Sequence, residues 1–156
     1  MVFHDGVTTL TTLPAPSPAS TPTALPHPLP AVAGARLLLI AIRRMGAHGL
    51  NDAHVAQTFI AAFGQGFRRP LVLARSFMAE LAATATTTIA IAPCCCARMT
   101  WAEGALIDAV GNAERRPDTA RLLLADLMAE RRADAITASA AALSVAFADL
   151  GLPIGG

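Results

Sequence analysis

The sequence predicts an all-α protein, a compact bundle of five to six helices. Three observations lead there. The chain is 54% hydrophobic but only 4% aromatic, with no tyrosine, so its core must be built from Ala, Leu, Ile and Val, which suits closely approaching helices. Apolar residues recur at three- and four-residue spacing in successive segments. Those segments are bounded by helix-capping residues, glycines and prolines.

Taken in order, residues 7–30 hold seven of the eleven prolines among Ser, Thr and Ala, the composition of a disordered or polyproline-like arm. The arm is assigned to 1–33, a single helical domain to 34–151 and a flexible tail to 152–156. Ala35 to Met45 reads as a first helix with Gly46 and Gly49 as stops. Asn51 and Asp52 cap a second, whose stripe is Val55, Phe59, Ala62 and Phe63. Pro70 falls in the first turn of a third, with Leu73, Ala74, Phe77, Met78 and Leu81 on its apolar face, fading near Thr84. Thr86 to Ala92 is short and β-branched, an extended connector into Pro93 and the cysteines.

Thr100 and Glu103 then form a T-x-x-E capping box, so a fourth helix starts at Trp101, lined by Leu106, Ala109 and Val110 and closed by Gly111. Pro117-Asp118 opens a fifth with Leu123, Leu124, Leu127 and Met128, and Arg131 and Arg132 suit its C-terminal dipole. Asp134 leads into Ile136, Ala140, Leu143, Phe147 and Leu150, a sixth helix or the second limb of a bent fifth. Phe59 to Pro70 also aligns without gaps on Leu106 to Pro117, with six identities in twelve. That echo suggests two duplicated helix hairpins joined by the cysteine-containing loop.

Composition excludes several function classes. All twelve basic residues are arginine and the formal net charge is +1, so no broad positive field grips nucleic acid or an acidic membrane. The uncharged run from Leu81 to Ala97 contains Pro93 and four threonines, too short and too polar for a bilayer span. The N-terminus lacks the basic and apolar regions of a secretory signal, and consecutive cysteines cannot cross-link distant segments, so a reduced, cytoplasmic setting is expected. A protein partner or a second copy of the chain is the binding class left open. No motif requires a cofactor.

The chemically unusual spot is Cys94-Cys95-Cys96. Three adjacent thiols cannot all face one core, and the downstream helix start and Arg98 favour thiolate there. His48 and His54 are the histidines that would add metal ligands or a catalytic base if their loop folds against the cysteines. Adjacent cysteines make a poor single-ion cage, so the identity of any metal is unknown. The arginine pairs at 43/44, 68/69, 115/116 and 131/132 are candidates for anion or carboxylate contact, Arg68, Arg69, Arg115 and Arg116 foremost because they precede helices. No catalytic residue is assigned.

The segment Arg43-Arg-Met-Gly-Ala-His-Gly-Leu-Asn-Asp-Ala-His54, with Phe67-Arg-Arg-Pro-Leu71 and Ala92-Pro-Cys-Cys-Cys-Ala-Arg-Met-Thr100, resembles a family of short alphaproteobacterial proteins classed only as a domain of unknown function. The resemblance spans roughly residues 36–130 and implies no activity, cofactor or fold. The expected function is that of a small non-enzymatic interaction or regulatory protein whose cysteine loop responds to thiol redox state or metal. The competing expectation is a Cys-thiolate enzyme with a histidine base and Arg98 as anion clamp.

Overall fold

The computed structural model describes residues 27–155. Among them run six α-helices: α1 (Ala33–His48), α2 (Ala53–Phe63), α3 (Arg68–Thr84), α4 (Trp101–Asn112), α5 (Pro117–Met128) and α6 (Asp134–Asp149). Two-residue strands β1 (His27–Pro28) and β2 (Arg98–Met99) pair antiparallel, His27 opposite Met99. The fold is therefore the expected all-α bundle with a minimal ribbon at one side.

Helix α4 is the centre. From Ala102 to Val110 every residue except Asp108 is buried, and the helix packs against α1, α5 and α6. A helix that is apolar on nearly all sides has to be surrounded by others. The remaining core is closed by α3 on α6 and α1 on α2. Phe59, Phe63 and Phe147 meet edge to face with centroids 5.0–5.7 Å apart, joining α2 to α6.

Several boundaries depart from the sequence reading. Helix α1 runs through Gly46 to His48, since one interior glycine costs only about 1 kcal/mol, and stops where Gly49 adopts φ 93°. Ala62 and Leu150 face outward and lie off the core stripes assigned to them, while Leu73 and Leu123 are half-buried and pack against the core from its edge. The fifth and sixth helices are separate. Ala129 is left-handed, its N–H reaches Asp126 O and that of Glu130 reaches Ala125 O, a Schellman closure that ends α5. Thr86 seals the same end, its N–H and hydroxyl donating to Met128 O.

The two halves of the sequence echo are not equivalent in space. A 3-10 turn, Gly64–Phe67, links α2 to α3 and leaves Pro70 third in its helix, whereas Pro117 is first in α5. Helix α4 lies along α5, while α2 and α3 touch much less.

The domain also reaches beyond the expected 34–151. Residues 1–26 of the arm lie outside the described residues, but His27 to Val32 follow α1 and α4 as the β1 strand and a short lead-in. At the other end Ile154 is 4% exposed, so the chain beyond α6 packs on the bundle through this side chain. Its carbonyls at Leu152 and Pro153 occupy the space a side chain on Gly34 would need, and Gly111 leaves room for the backbone of Gly155.

Candidate functional site

Between α3 and α4 the chain runs without helix from residue 85 to 100, and its tip is a turn in which the Cys96 N–H donates to Pro93 O at 3.0 Å. Cys94 and Cys95 occupy the two central positions of that turn. Both are exposed, Cys96 is half-buried, and all three are free thiols.

The base of the loop is tied down by one buried ion pair. Arg43, 4% exposed on α1, and Glu103, fully buried on α4, meet in a bidentate contact: Nε to Oε1 at 2.8 Å and a terminal nitrogen to Oε2 at 3.0 Å. Arg43 also donates to Cys96 O at 2.8 Å and to Arg98 O at 2.7 Å. Glu103 in turn accepts from Ala92 N at 3.0 Å and Thr100 N at 2.9 Å. Both limbs of the loop therefore end on one of these two side chains. Two charges taken from water at this cost persist only when their remaining hydrogen-bonding capacity is filled, and here backbone groups fill it.

The capping box expected from Thr100 and Glu103 is present. Thr100 Oγ accepts from Glu103 N at 3.0 Å and donates to Ala90 O at 2.8 Å. Glu103 thus performs two tasks, closing the cap and holding Arg43. The Arg43 guanidinium is stabilised in its charged form, its pKa raised foremost by the hydrogen bond to Glu103 and further by the charges of Glu103, Cys96 and Cys94, with burial opposing. Arg43 is therefore a cation within electrostatic reach of Cys94 and Cys96, one that the sequence does not single out for that place. The Arg98 side chain is exposed, and its backbone carbonyl is what anchors Arg43.

A cavity of about 200 Å³ opens beside the turn, lined by Leu29, Arg36, Leu39, Ile40, Arg43, Arg44, Cys94 and Cys96. His48 and His54 are exposed, at the end of α1 and in the first turn of α2, and neither lines this cavity. Among the described residues no group of three or more His, Cys, Asp or Glu side chains is arranged to hold a metal ion. Of the anion-contact candidates, Arg68, Arg115 and Arg116 are exposed, and Arg69 pairs with Asp149 at 2.8 Å on the surface. The structure does not gather the four into one site.

Arg43 as the organiser of the loop is not evident from sequence, where it stands only as half of an arginine pair. The signal that could have found it is its place in the apolar run of α1. It stands four residues after Leu39 and eight after Ala35, both buried, and so lies on the core stripe.

The fold and the loop define a small helical protein with a thiol triplet, two of its members exposed, on a loop fastened to a buried arginine–glutamate pair. The chain belongs to a family of unknown function (DUF6628), which matches residues 15–149. The match is wider than the 36–130 expected and takes in part of the Pro-rich arm and all of α6. Comparison with curated proteins finds no match, and comparison with solved structures finds none either. No helix among the described residues is long and apolar enough to cross a membrane.

Proposed function

We propose that the chain is a small non-enzymatic regulatory or interaction protein of the cytoplasm whose Cys94–Cys96 loop responds to thiol oxidation. The observation that carries this reading is the display of two exposed thiols and one half-buried thiol on a turn whose backbone is bonded directly to the core. Thiols serving only as small core hydrophobes would be buried. In the proposed chemistry a hydroperoxide oxidises one thiolate to a sulfenic acid, and a neighbouring thiol condenses with it to a disulfide with loss of water. A dithiol reductant reverses the step by exchange. Closing such a bond reshapes the turn, and the Cys96 carbonyl transmits the change to Arg43 and helix α1. A protein partner reading that face would then see two surfaces.

The enzyme alternative is less favoured because the cavity that Cys94 and Cys96 border is otherwise lined by arginine and aliphatic side chains, without a histidine among the described residues to act as base. Free-thiol counting and elemental analysis on protein purified without oxygen, followed by timed alkylation before and after peroxide, test the proposal. Reversible loss of two titratable thiols on mild oxidation is the expected result. Three thiols that stay unreactive until the protein is denatured would defeat it.

A further inference from the structure

The cavity beside the turn has a chemistry of its own. One wall is aliphatic, with Leu39 from the core and Leu29 and Ile40 left 43% and 45% exposed at the mouth. Three guanidinium groups line it and, among the described residues, no carboxylate does. Two of these cations are committed, Arg43 to Glu103 and the loop carbonyls, Arg44 to both oxygens of Asp52. Arg36 differs: its Nε donates to Pro30 O at 2.6 Å, and its two terminal nitrogens carry no hydrogen bond to the described residues. A guanidinium whose terminal nitrogens are open to solvent at the edge of an apolar wall matches one carboxylate on an alkyl chain.

We infer that this cavity binds a small aliphatic monocarboxylate, its carboxylate on Arg36 and its chain along Leu29, Leu39 and Ile40, so that it covers Cys94 and Cys96. The size agrees. A cavity of about 150 Å³ accommodates a six-carbon ring, so the volume here suits a ligand of roughly eight heavy atoms, the size of hexanoate. Cys95 does not line the cavity and stays outside the covered area. The inference rests on the proposed reading in one respect, that the thiols are reactive in the folded protein. It adds that a bound carboxylate decides which of them react.

Site-resolved alkylation tests it. The folded, reduced protein is treated with a limiting maleimide, with and without hexanoate, and adducts at the three cysteines are quantified by mass spectrometry. For so small a ligand a dissociation constant in the millimolar range is expected. At ten times that value Cys94 and Cys96 should react roughly ten-fold more slowly, by simple occupancy, while Cys95 changes little. Hexan-1-ol should protect far less, and Arg36→Gln, at an exposed position, should remove most of the protection by hexanoate. The inference is overturned if hexanoate slows all three cysteines alike or none, if the alcohol protects equally, or if Arg36→Gln protects as well as the parent. It is likewise overturned if Cys94 and Cys96 are shielded without ligand in a protein-concentration-dependent manner, since a second copy would then occupy the cavity. Thiols inert under every condition would instead remove the functional reading beneath it.

Discussion

Arg43 and Arg44 are neighbours on one helix and have opposite fates. Arg43 is 4% exposed and pairs with a carboxylate sixty residues away; Arg44 is 24% exposed and pairs with Asp52, eight residues away, at 2.8 Å. One step along a helix turns a side chain by about 100°, enough to send the first into the core and the second over the α1–α2 turn. The first pair joins α1, the cysteine loop and α4. The second closes a local corner, with Asp52 also accepting from Val55 N as the cap of α2. What separates them is what each pair holds besides itself, and substitutions at four places probe that, from the largest expected effect to the smallest.

Breaking the buried pair comes first. Arg43→Met leaves a buried carboxylate with two backbone donors, and Glu103→Leu leaves a buried guanidinium; either should cost about 3–5 kcal/mol. The double variant is more telling. Replacing a buried ion pair by apolar residues is often neutral, but here the change would also strand the Cys96 and Arg98 carbonyls and the Ala92 and Thr100 N–H groups. The double variant should therefore recover little of the loss in urea denaturation. Full recovery would mean that the loop does not depend on these bonds.

Thr100→Ala comes next. It removes the acceptor for Glu103 N and the donor to Ala90 O but leaves the pair itself intact, so the expected loss is about 1–2 kcal/mol. A loss as large as that of Arg43→Met would show that cap and pair fail as one unit.

The cap was legible in the sequence because its two residues are three apart. The pair was not, because nothing local ties Arg43 to Glu103. The same contrast runs through the molecule. Helix stripes such as Val55, Phe59 and Phe63 follow from period alone, and all three are buried. The β1–β2 pairing, two residues on each side, leaves no period to detect, and the extension of α1 past Gly46 depends on contacts that propensity does not count. The echo between 59–70 and 106–117 promised two like hairpins, yet identical Arg-Arg-Pro segments enter their helices at different positions because the preceding turns differ. As for the thiols, sequence located them, but only the fold shows that Cys94 and Cys95 are exposed, Cys96 is half-buried, and Cys94 and Cys96 border one cavity.

Asp52→Asn addresses the second arginine. The Asp52 carboxyl is held below its ordinary pKa, first by the hydrogen bond from Arg44, then by the Val55 N–H, by the Arg44 charge and by the His54 N–H, with desolvation opposing. A carboxyl lowered in the folded state adds stability that is complete above the unfolded value of about 3.9 and fades as pH falls through the folded one. The parent should therefore lose this contribution on acidification below about pH 4, and the gap between the parent and the Asp52→Asn variant, read as urea midpoints, should narrow there. A gap that stays constant with pH would mean that the ionised carboxylate beside Arg44 is not what separates the parent from the variant.

The smallest effect belongs to a pair that looks the same on distance alone. Arg69 and Asp149 also meet at 2.8 Å, and they join α3 to the end of α6 across eighty residues, but their side chains are 58% and 54% exposed. Water screens the attraction, and two long side chains lose rotamer freedom to hold it, so such pairs contribute about 0–1 kcal/mol. Arg69→Ala and Asp149→Ala should each shift stability by less than about 0.5 kcal/mol, and a double-mutant cycle should give a coupling near zero that weakens further in molar salt. A coupling comparable to that of Arg43 with Glu103 would mean that span along the chain, and not burial with backbone partners, sets the strength of these contacts.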